Sequence, residues 1–322
     1  MKTFFSYEQQ IDKLKNDGLL ITNEEFAKNE LKLEGYYNII NGYSPIFKVN
    51  NKYTKGINFE NINKLYDFDK ALRSIIYKYT SSIECHIKAL IAHEFSRAHG
   101  VNEKTYLSTN SFTQNLKSQD SVNRLILECN QTIQDALDVK SNKYREYIAH
   151  NFNNHGHVPL WVLIRAISFG TTSIFYKNML DAEKDAIASH YQITSSRLAN
   201  MLEVVVSFRN IVAHGERTFC ARLPKTRLTP NLSIVSKLCI PKNNKGFNKF
   251  GRNDFLSLLI CCKYLLQPLE FSALHADLTI LLEELSLHQP PSLFGKIKTY
   301  MGLQPKSWTL LPKLKIDISD SI

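Results

Sequence analysis

Several patterns that mark common protein classes are missing from this sequence. Its six cysteines form no CxxC pair and no regular framework, which argues against a zinc site and favours reduced thiols. It also has no Gly-rich phosphate-binding loop and no regular alternation of strand and helix patterns. We therefore expect neither a bound metal nor a nucleotide cofactor, and no parallel α/β fold.

Long hydrophobic runs are missing as well. The longest apolar region, residues 255–269, is broken by Lys263 and is too short to span a membrane. At the N-terminus, the polar residues Glu8, Gln9 and Gln10 follow Phe5 closely, so no signal-peptide core is present. We expect a cytoplasmic protein that has no membrane partner.

Acidic residues are in the minority. The 322 residues include 40 Lys and Arg against 30 Asp and Glu, which gives a formal net charge of +10. A basic surplus of this size favours a polyanionic partner such as nucleic acid. The alternative is a basic protein that has no such partner.

Apolar residues recur at three- and four-residue steps along much of the chain, and this spacing predicts a mainly α fold. The longest pattern runs from Phe59 to His99. Start and stop signals predict further helices at residues 6–16, from a cap at Asn23 towards Leu33, at 121–139, from Pro159 onwards, from Thr194 or Ser195 to Gly215, and at 253–287 with a break near Pro268.

The chain is predicted to have two parts. Residues 1–57 form an N-terminal helical extension, and residues 58–322 form a helical domain with a basic insertion at 217–252. Within the insertion, Leu232–Ile240 has strand character, which predicts a small hairpin, with a loop as the alternative. Four cations in it are candidates for contact with an RNA backbone, unless the segment is only a solubilising loop: Arg222, Lys225, Arg227 and Lys237.

Four aromatic residues crowd a Gly- and Pro-containing part of the extension: Tyr36, Tyr37, Tyr43 and Phe47. Such clusters usually pack a small module against a larger one. Stacking on nucleic-acid bases is the functional alternative. The sequence alone leaves both uses open.

The stretch Ser207–Arg217 carries the clearest chemical signal. Arg209 and His214 lie close to the predicted end of a helix at Gly215. A guanidinium can hold a phosphate through paired hydrogen bonds, and histidine exchanges a proton near neutral pH. Asn210 lies four residues before His214, so the two side chains are neighbours on one helix face. The alternative is structural, because cations also stabilise helix C-termini.

The segment Arg209–His214 resembles the Arg-x4–6-His signature of the HEPN superfamily, with Asn210 as the polar residue after the arginine. Further stretches, in consistent order, resemble the Abi family of bacterial phage-defence proteins, a HEPN branch. They are Leu33–Tyr37, Asn41–Pro45, Leu65–Asp69 leading to Leu72-Arg73, Pro159–Trp161, Ser168–Gly170, Met301–Leu303 and Trp308.

This resemblance implies a HEPN-like helical bundle and a metal-independent endoribonuclease that acts as an abortive-infection toxin. The ribose 2′-OH would attack its own phosphate, with His214 as general acid or base and Arg209 stabilising charge on the phosphate oxygens. Asn210 would orient His214 or the phosphate. Weaker candidates for the lining of the site are Glu203, Glu216, Arg217, Arg73 and Glu84, the last two with a structural ion pair as the alternative.

A metal site is not expected, because His150, His155 and His157 match no helical metalloprotease spacing. They are interpreted instead as loop histidines or as contacts to a polyanion. HEPN proteins usually combine two Arg–His motifs, so the single motif here implies a homodimer. Two alternatives remain open. One is a non-catalytic protein that holds a structured small RNA, as in a toxin–antitoxin pair, and the other is an interaction scaffold.

Overall fold

The computed structural model describes residues 3–321, and the chain is mainly α, as predicted. The helices are α1 Tyr7–Asn16, α2 Glu24–Glu34, α3 Phe59–His99, α4 Glu103–Tyr106, α5 Gln119–Leu137, α6 Glu146–His155, α7 Leu160–Leu163, α8 Phe169–Asn178, α9 Asp181–Ser189, α10 Ser195–Ala213, α11 Ser233–Lys237, α12 Phe255–Leu265, α13 Pro268–Leu287, α14 Pro291–Met301 and α15 Pro305–Leu310.

Shorter elements join the helices. A π-helix at Tyr37–Asn41 and a 3-10 helix at Ser44–Phe47 follow α2, and 3-10 turns occur at Thr109–Ser111, Leu116–Ser118 and Ile318–Ser321. The strands β1, Lys48–Val49, and β2, Lys52–Tyr53, pair antiparallel through a turn. Among the described residues, no helix is long and apolar enough to cross a membrane.

Helix α3 is the central element of the fold. It begins and ends at the predicted residues, with Asn58 forming a reciprocal capping box at its start. Its apolar stripe, which includes Leu65, Leu72, Ile76 and Ile83, is fully buried. Helices α7, α9, α10, α12 and α13 pack against it, so α3 is the axis around which the core is assembled.

Helix α10 also follows its sequence signals. The Thr194 side chain accepts a hydrogen bond from the Arg197 backbone N–H and so caps the first turn. Gly215, with φ of +70°, adopts the left-handed conformation just past the helix end. The helix buries Leu198, Leu202 and Phe208 against its neighbours. His214 is therefore held at a defined helix end.

Two local predictions were wrong. Leu232–Ile240 contains helix α11 rather than a strand, because a helix buries Ile234, Val235 and Leu238 on one face. The prediction failed because an apolar run of this length does not distinguish a helix from a strand. The nearest feature to a hairpin is a single antiparallel bridge between Lys242 and Asn248. The helix predicted from Pro159 ends after α7, and Ser168 caps a new helix, α8.

The buried carboxylate of Asp69 ties three parts of the chain together. It accepts hydrogen bonds from the Tyr43 hydroxyl at 2.7 Å, from Arg73 Nη1 at 3.0 Å, and from the backbone N–H groups of Thr218 and Phe219 at 3.0 and 2.8 Å. Burial raises the pKa of Asp69, while these hydrogen bonds and the charge of Arg73 oppose the rise. The N-terminal extension, α3 and the segment after α10 thus meet at one group.

Replacing Asp69 by alanine should therefore be strongly destabilising. It leaves the Arg73 guanidinium, the Tyr43 hydroxyl and two buried N–H groups without their acceptor, which we expect to cost about 3–5 kcal/mol of unfolding free energy. Urea denaturation measures the difference. Asp67→Ala, at an exposed position of the same helix, is the matched control and should change stability much less. Equal effects of the two substitutions would contradict the role assigned to Asp69.

Candidate active site

His214 lies at the C-terminal cap of α10 and lines an open, polar cleft. Its backbone N–H donates to the Asn210 carbonyl at 3.0 Å, and its side chain is exposed. The cleft has a volume of about 700 Å³ and is also lined by Glu216 and Arg217 from the loop after the helix. A histidine placed in this way is accessible to a ligand and does not contribute to the core.

The opposite wall of the cleft comes from the N-terminal extension. Tyr37, Asn38 and Asn41 of the π-helix all line it. The two walls are joined directly, because Arg217 Nη1 donates a hydrogen bond to the Gly42 carbonyl at 2.6 Å. The extension that the sequence set apart from the helical domain thus forms one half of this cleft.

Arg73 forms a structural ion pair and also lines the cleft. It pairs with Asp69 at 3.0 Å and donates to the Tyr43 hydroxyl at 3.3 Å, so it belongs to the buried network. Its side chain also lines the cleft and keeps 13% of its surface exposed. A fixed guanidinium therefore lies in the same cleft as His214.

Arg209 lies on a different side of α10. It lies five positions before His214, which corresponds to about 140° around a helix that turns about 100° per residue. Its Nη2 atom lies 3.5 Å from Glu84 Oε2, and its guanidinium carbon is 5.9 Å from the centre of the Tyr77 ring, both on α3. Arg209 thus packs against α3 and not beside His214.

Glu84 supplies the partner that the Arg209 charge needs. Its other oxygen pairs with Lys88 at 2.8 Å, so one carboxylate lies between two cations. All three side chains are largely buried, with 26% of the Arg209 side chain exposed. Among the described residues, Arg209 Nε is buried and has no hydrogen-bond partner. One donor of the guanidinium is therefore still unsatisfied.

The remaining predicted residues are dispersed. Glu203 lies about 16 Å before His214 along the helix axis, at 1.5 Å per residue, and pairs with Lys177. Asn210 is exposed one turn before His214. The four cations predicted to contact RNA are exposed, namely Arg222, Lys225, Arg227 and Lys237, and Lys237 lies 3.4 Å from Asp317. Arg222 directly follows Ala221, a residue of the cleft wall.

The histidine cluster has a simple local structure. His150 and His155 lie on helix α6, not in the expected loop, and His150 contacts the Asn154 amide one turn later. His157 Nδ1 lies 2.8 Å from the His155 carbonyl. Within residues 3–321, no group of three or more His, Cys, Asp or Glu side chains is arranged to hold a metal ion.

The buried role of Asp69 was not predicted from the sequence, where this residue only ends the family-like stretch Leu65–Asp69. The signal was nevertheless present, because Asp69 lies between Leu65 and Leu72 at the three- and four-residue steps of a buried stripe. A charge at such a position requires buried partners. Those partners come from distant parts of the chain, so they could not be named from helical spacing.

The site residues and the cleft walls fall largely within a recognisable family region. Neither the curated proteins nor the solved structures contain a match to this chain. The family model described as Abi-like protein matches residues 29–220, more than half of the chain. This region contains the π-helix, Asp69, Arg73 and the whole of α10 with His214. The chain therefore belongs to the family of Abi-like proteins.

Proposed function

We propose that this protein is a metal-independent endoribonuclease of abortive-infection defence and a member of the HEPN superfamily. Membership of the Abi-like family points to the defence role. The observation that carries the catalytic proposal is the exposed imidazole of His214 in a cleft that also contains Arg73 and Arg217. An acid–base group beside fixed cations suits a phosphodiester substrate.

The proposed reaction needs no external nucleophile. The ribose 2′-oxygen loses its proton and attacks the adjacent phosphorus, and the bond from phosphorus to the 5′-oxygen breaks. The leaving 5′-oxygen takes up a proton, so the products carry 2′,3′-cyclic phosphate and 5′-hydroxyl ends. His214 transfers a proton in this sequence, and the guanidinium groups stabilise the negative charge that accumulates on the phosphate oxygens.

We propose that Arg209 contributes to the site of a second copy of the chain. It lies against Glu84 of its own α3 and not in its own cleft, yet 26% of its side-chain surface is exposed. In a two-fold homodimer with the α10 ends facing each other, Arg209 of one chain would complete the site that contains His214 of the other. Two incomplete surfaces would then form two composite sites.

A second candidate function is RNA binding without cleavage. It is favoured by the exposed basic residues Arg222, Lys225 and Arg227, which follow the cleft wall directly. Such a surface suits the backbone of a structured small RNA that acts as partner or inhibitor. Incubation with labelled RNA separates the two functions, because only the first produces shortened RNA.

His214→Ala should abolish cleavage while leaving the fold and RNA binding nearly unchanged. The exposed imidazole opens no cavity when it is truncated, and loss of a general acid–base group lowers rates by about 10²–10⁴-fold. Cleavage of labelled RNA, thermal unfolding and fluorescence anisotropy measure the three properties. His150→Ala, on α6, is the matched exposed control and should retain full activity. Wild-type cleavage by His214→Ala protein would eliminate the catalytic proposal.

The cleavage chemistry can be tested on the products. The reaction should proceed in EDTA and should leave 2′,3′-cyclic phosphate and 5′-hydroxyl ends, because the 2′-oxygen is the nucleophile. A substrate with 2′-deoxyribose at the scissile position should resist cleavage. Labelling of the product ends and mass spectrometry identify the chemical groups at the cleavage site. A strict requirement for added divalent metal, or cleavage of the deoxyribose substrate, would argue against this mechanism.

The composite site can be tested by mixing inactive chains. Arg209→Ala and His214→Ala proteins should each be inactive, and co-expression should restore activity. With random pairing, half of the dimers contain one intact site of two, so about a quarter of wild-type activity is expected.

Glu84→Gln is the control that separates loss of the Arg209–Glu84 ion pair from loss of the Arg209 guanidinium. It removes the ion pair and keeps the guanidinium. It should retain most of the activity. No recovery on co-expression, although light scattering shows that dimers form, would place both residues in one chain's site. An active monomer would exclude the dimer.

A further inference from the structure

The aromatic cluster of the N-terminal extension is divided between two uses. Tyr43 and Phe47 are buried, with 3% and 1% of their surface exposed, and they pack the extension onto the domain. The Tyr43 ring also stacks on Phe219 at a centroid distance of 6.0 Å. Tyr37, in contrast, is 73% exposed and lies in the wall of the cleft that contains His214. Packing therefore explains Tyr43 and Phe47 but not Tyr37.

The π-helix determines which side chains reach the cleft. Its single wide turn buries Ile39 and Ile40 and leaves Tyr37, Asn38 and Asn41 exposed. π-Helical turns are rare and occur frequently at functional sites. An aromatic ring and two amides thus line one wall of a cleft whose other wall contains His214.

The two amides have free hydrogen-bonding capacity. Asn38 Nδ2 donates to the Glu34 carbonyl at 2.8 Å, which leaves the side-chain oxygen of Asn38 as an acceptor. The Asn41 side chain is exposed at the cleft. Amide side chains can pair with the edges of unstacked bases, and exposed aromatic rings can stack on their faces. Together they have the chemistry of a nucleobase pocket.

The position of this wall is fixed by contacts at its C-terminal side. Arg217 donates to the Gly42 carbonyl, and the Tyr43 hydroxyl donates to Asp69. Asp69 also accepts hydrogen bonds from Arg73 and from the Thr218 backbone N–H, and so positions Arg73 and the loop after His214. The groups suited to bind a base and the cations suited to bind a phosphate are therefore held in fixed relative positions. A site for one nucleotide and its phosphate requires such an arrangement.

We propose that Tyr37 is a base-stacking residue, and that Asn38 and Asn41 contact the edge of the stacked base while Arg73 and Arg217 hold the adjacent phosphate. The inference rests on the proposed ribonuclease function and specifies its substrate class. The substrate is RNA with an unpaired base beside the scissile phosphate, because a base inside a duplex is already stacked and does not reach Tyr37.

The experiment compares three variants on a short single-stranded RNA and on the same sequence held in a duplex. Tyr37→Ala should raise KM for the single strand by roughly tenfold and change kcat little, because stacking contributes to binding. Tyr37→Phe retains a ring and should behave like the wild type. Tyr7→Ala, at an exposed tyrosine of α1 outside the cleft, is the matched control. The duplex should be cut much more slowly than the single strand.

A binding measurement separates failure of this inference from failure of the proposed function. In a His214→Ala background, fluorescence anisotropy with the same single strand should show roughly tenfold weaker binding on adding Tyr37→Ala. If the wild type cuts RNA but Tyr37→Ala has no effect on KM or binding, or the duplex is cut as fast, the base-stacking role is overturned and the ribonuclease stands. If the wild type neither cuts nor binds RNA, both proposals are overturned.

Discussion

The rest of the cleft depends on one buried carboxylate, that of Asp69. It has no exposed surface, and its hydrogen-bond donors come from Tyr43, from Arg73 and from the backbone after α10. An ionised group is stable in such a place only when every partner is present. Correct docking of the N-terminal extension, formation of the α10 terminus and placement of Arg73 are therefore coupled, and the two walls of the cleft form together.

The coupling explains how a mainly α-helical protein can build a polar cleft. Helix α10 presents His214 at its end, and the loop that follows returns to Asp69 and presents Arg217 to the extension. The extension supplies Tyr37 and two amides, and α3 supplies Arg73. The Arg73 guanidinium is held by Asp69 and the Arg217 guanidinium by the Gly42 carbonyl, so both cations are in place before a ligand arrives. Such preorganisation is the main requirement for stabilising a charged phosphoryl transition state.

The separation of Arg209 from His214 determines which cations the proposed site can use. Both belong to one short motif, but the helical turn directs Arg209 towards Glu84 and Tyr77, and His214 towards the cleft. A site built from one chain would therefore use Arg73 and Arg217 as its cations, whereas a site built from two chains would add Arg209. The proposed base-stacking role adds a second division, in which the ring and amides of the π-helix would contact the base and the guanidinium groups would contact the phosphate.

The sequence by itself determined the helical class and the main helix boundaries, including α3 and α10. Those features depend on apolar spacing within a few turns and on caps such as Asn58, Thr194 and Gly215, all of which are local. It also identified His214 as an accessible group at a helix end. Only the tertiary structure decided that Leu232–Ile240 contains a helix, that Arg209 faces α3, that Asp69 is buried and that Tyr37 is exposed. These outcomes depend on contacts between residues far apart in the chain, such as Asp69 with Thr218, and helical spacing carries no information about such partners.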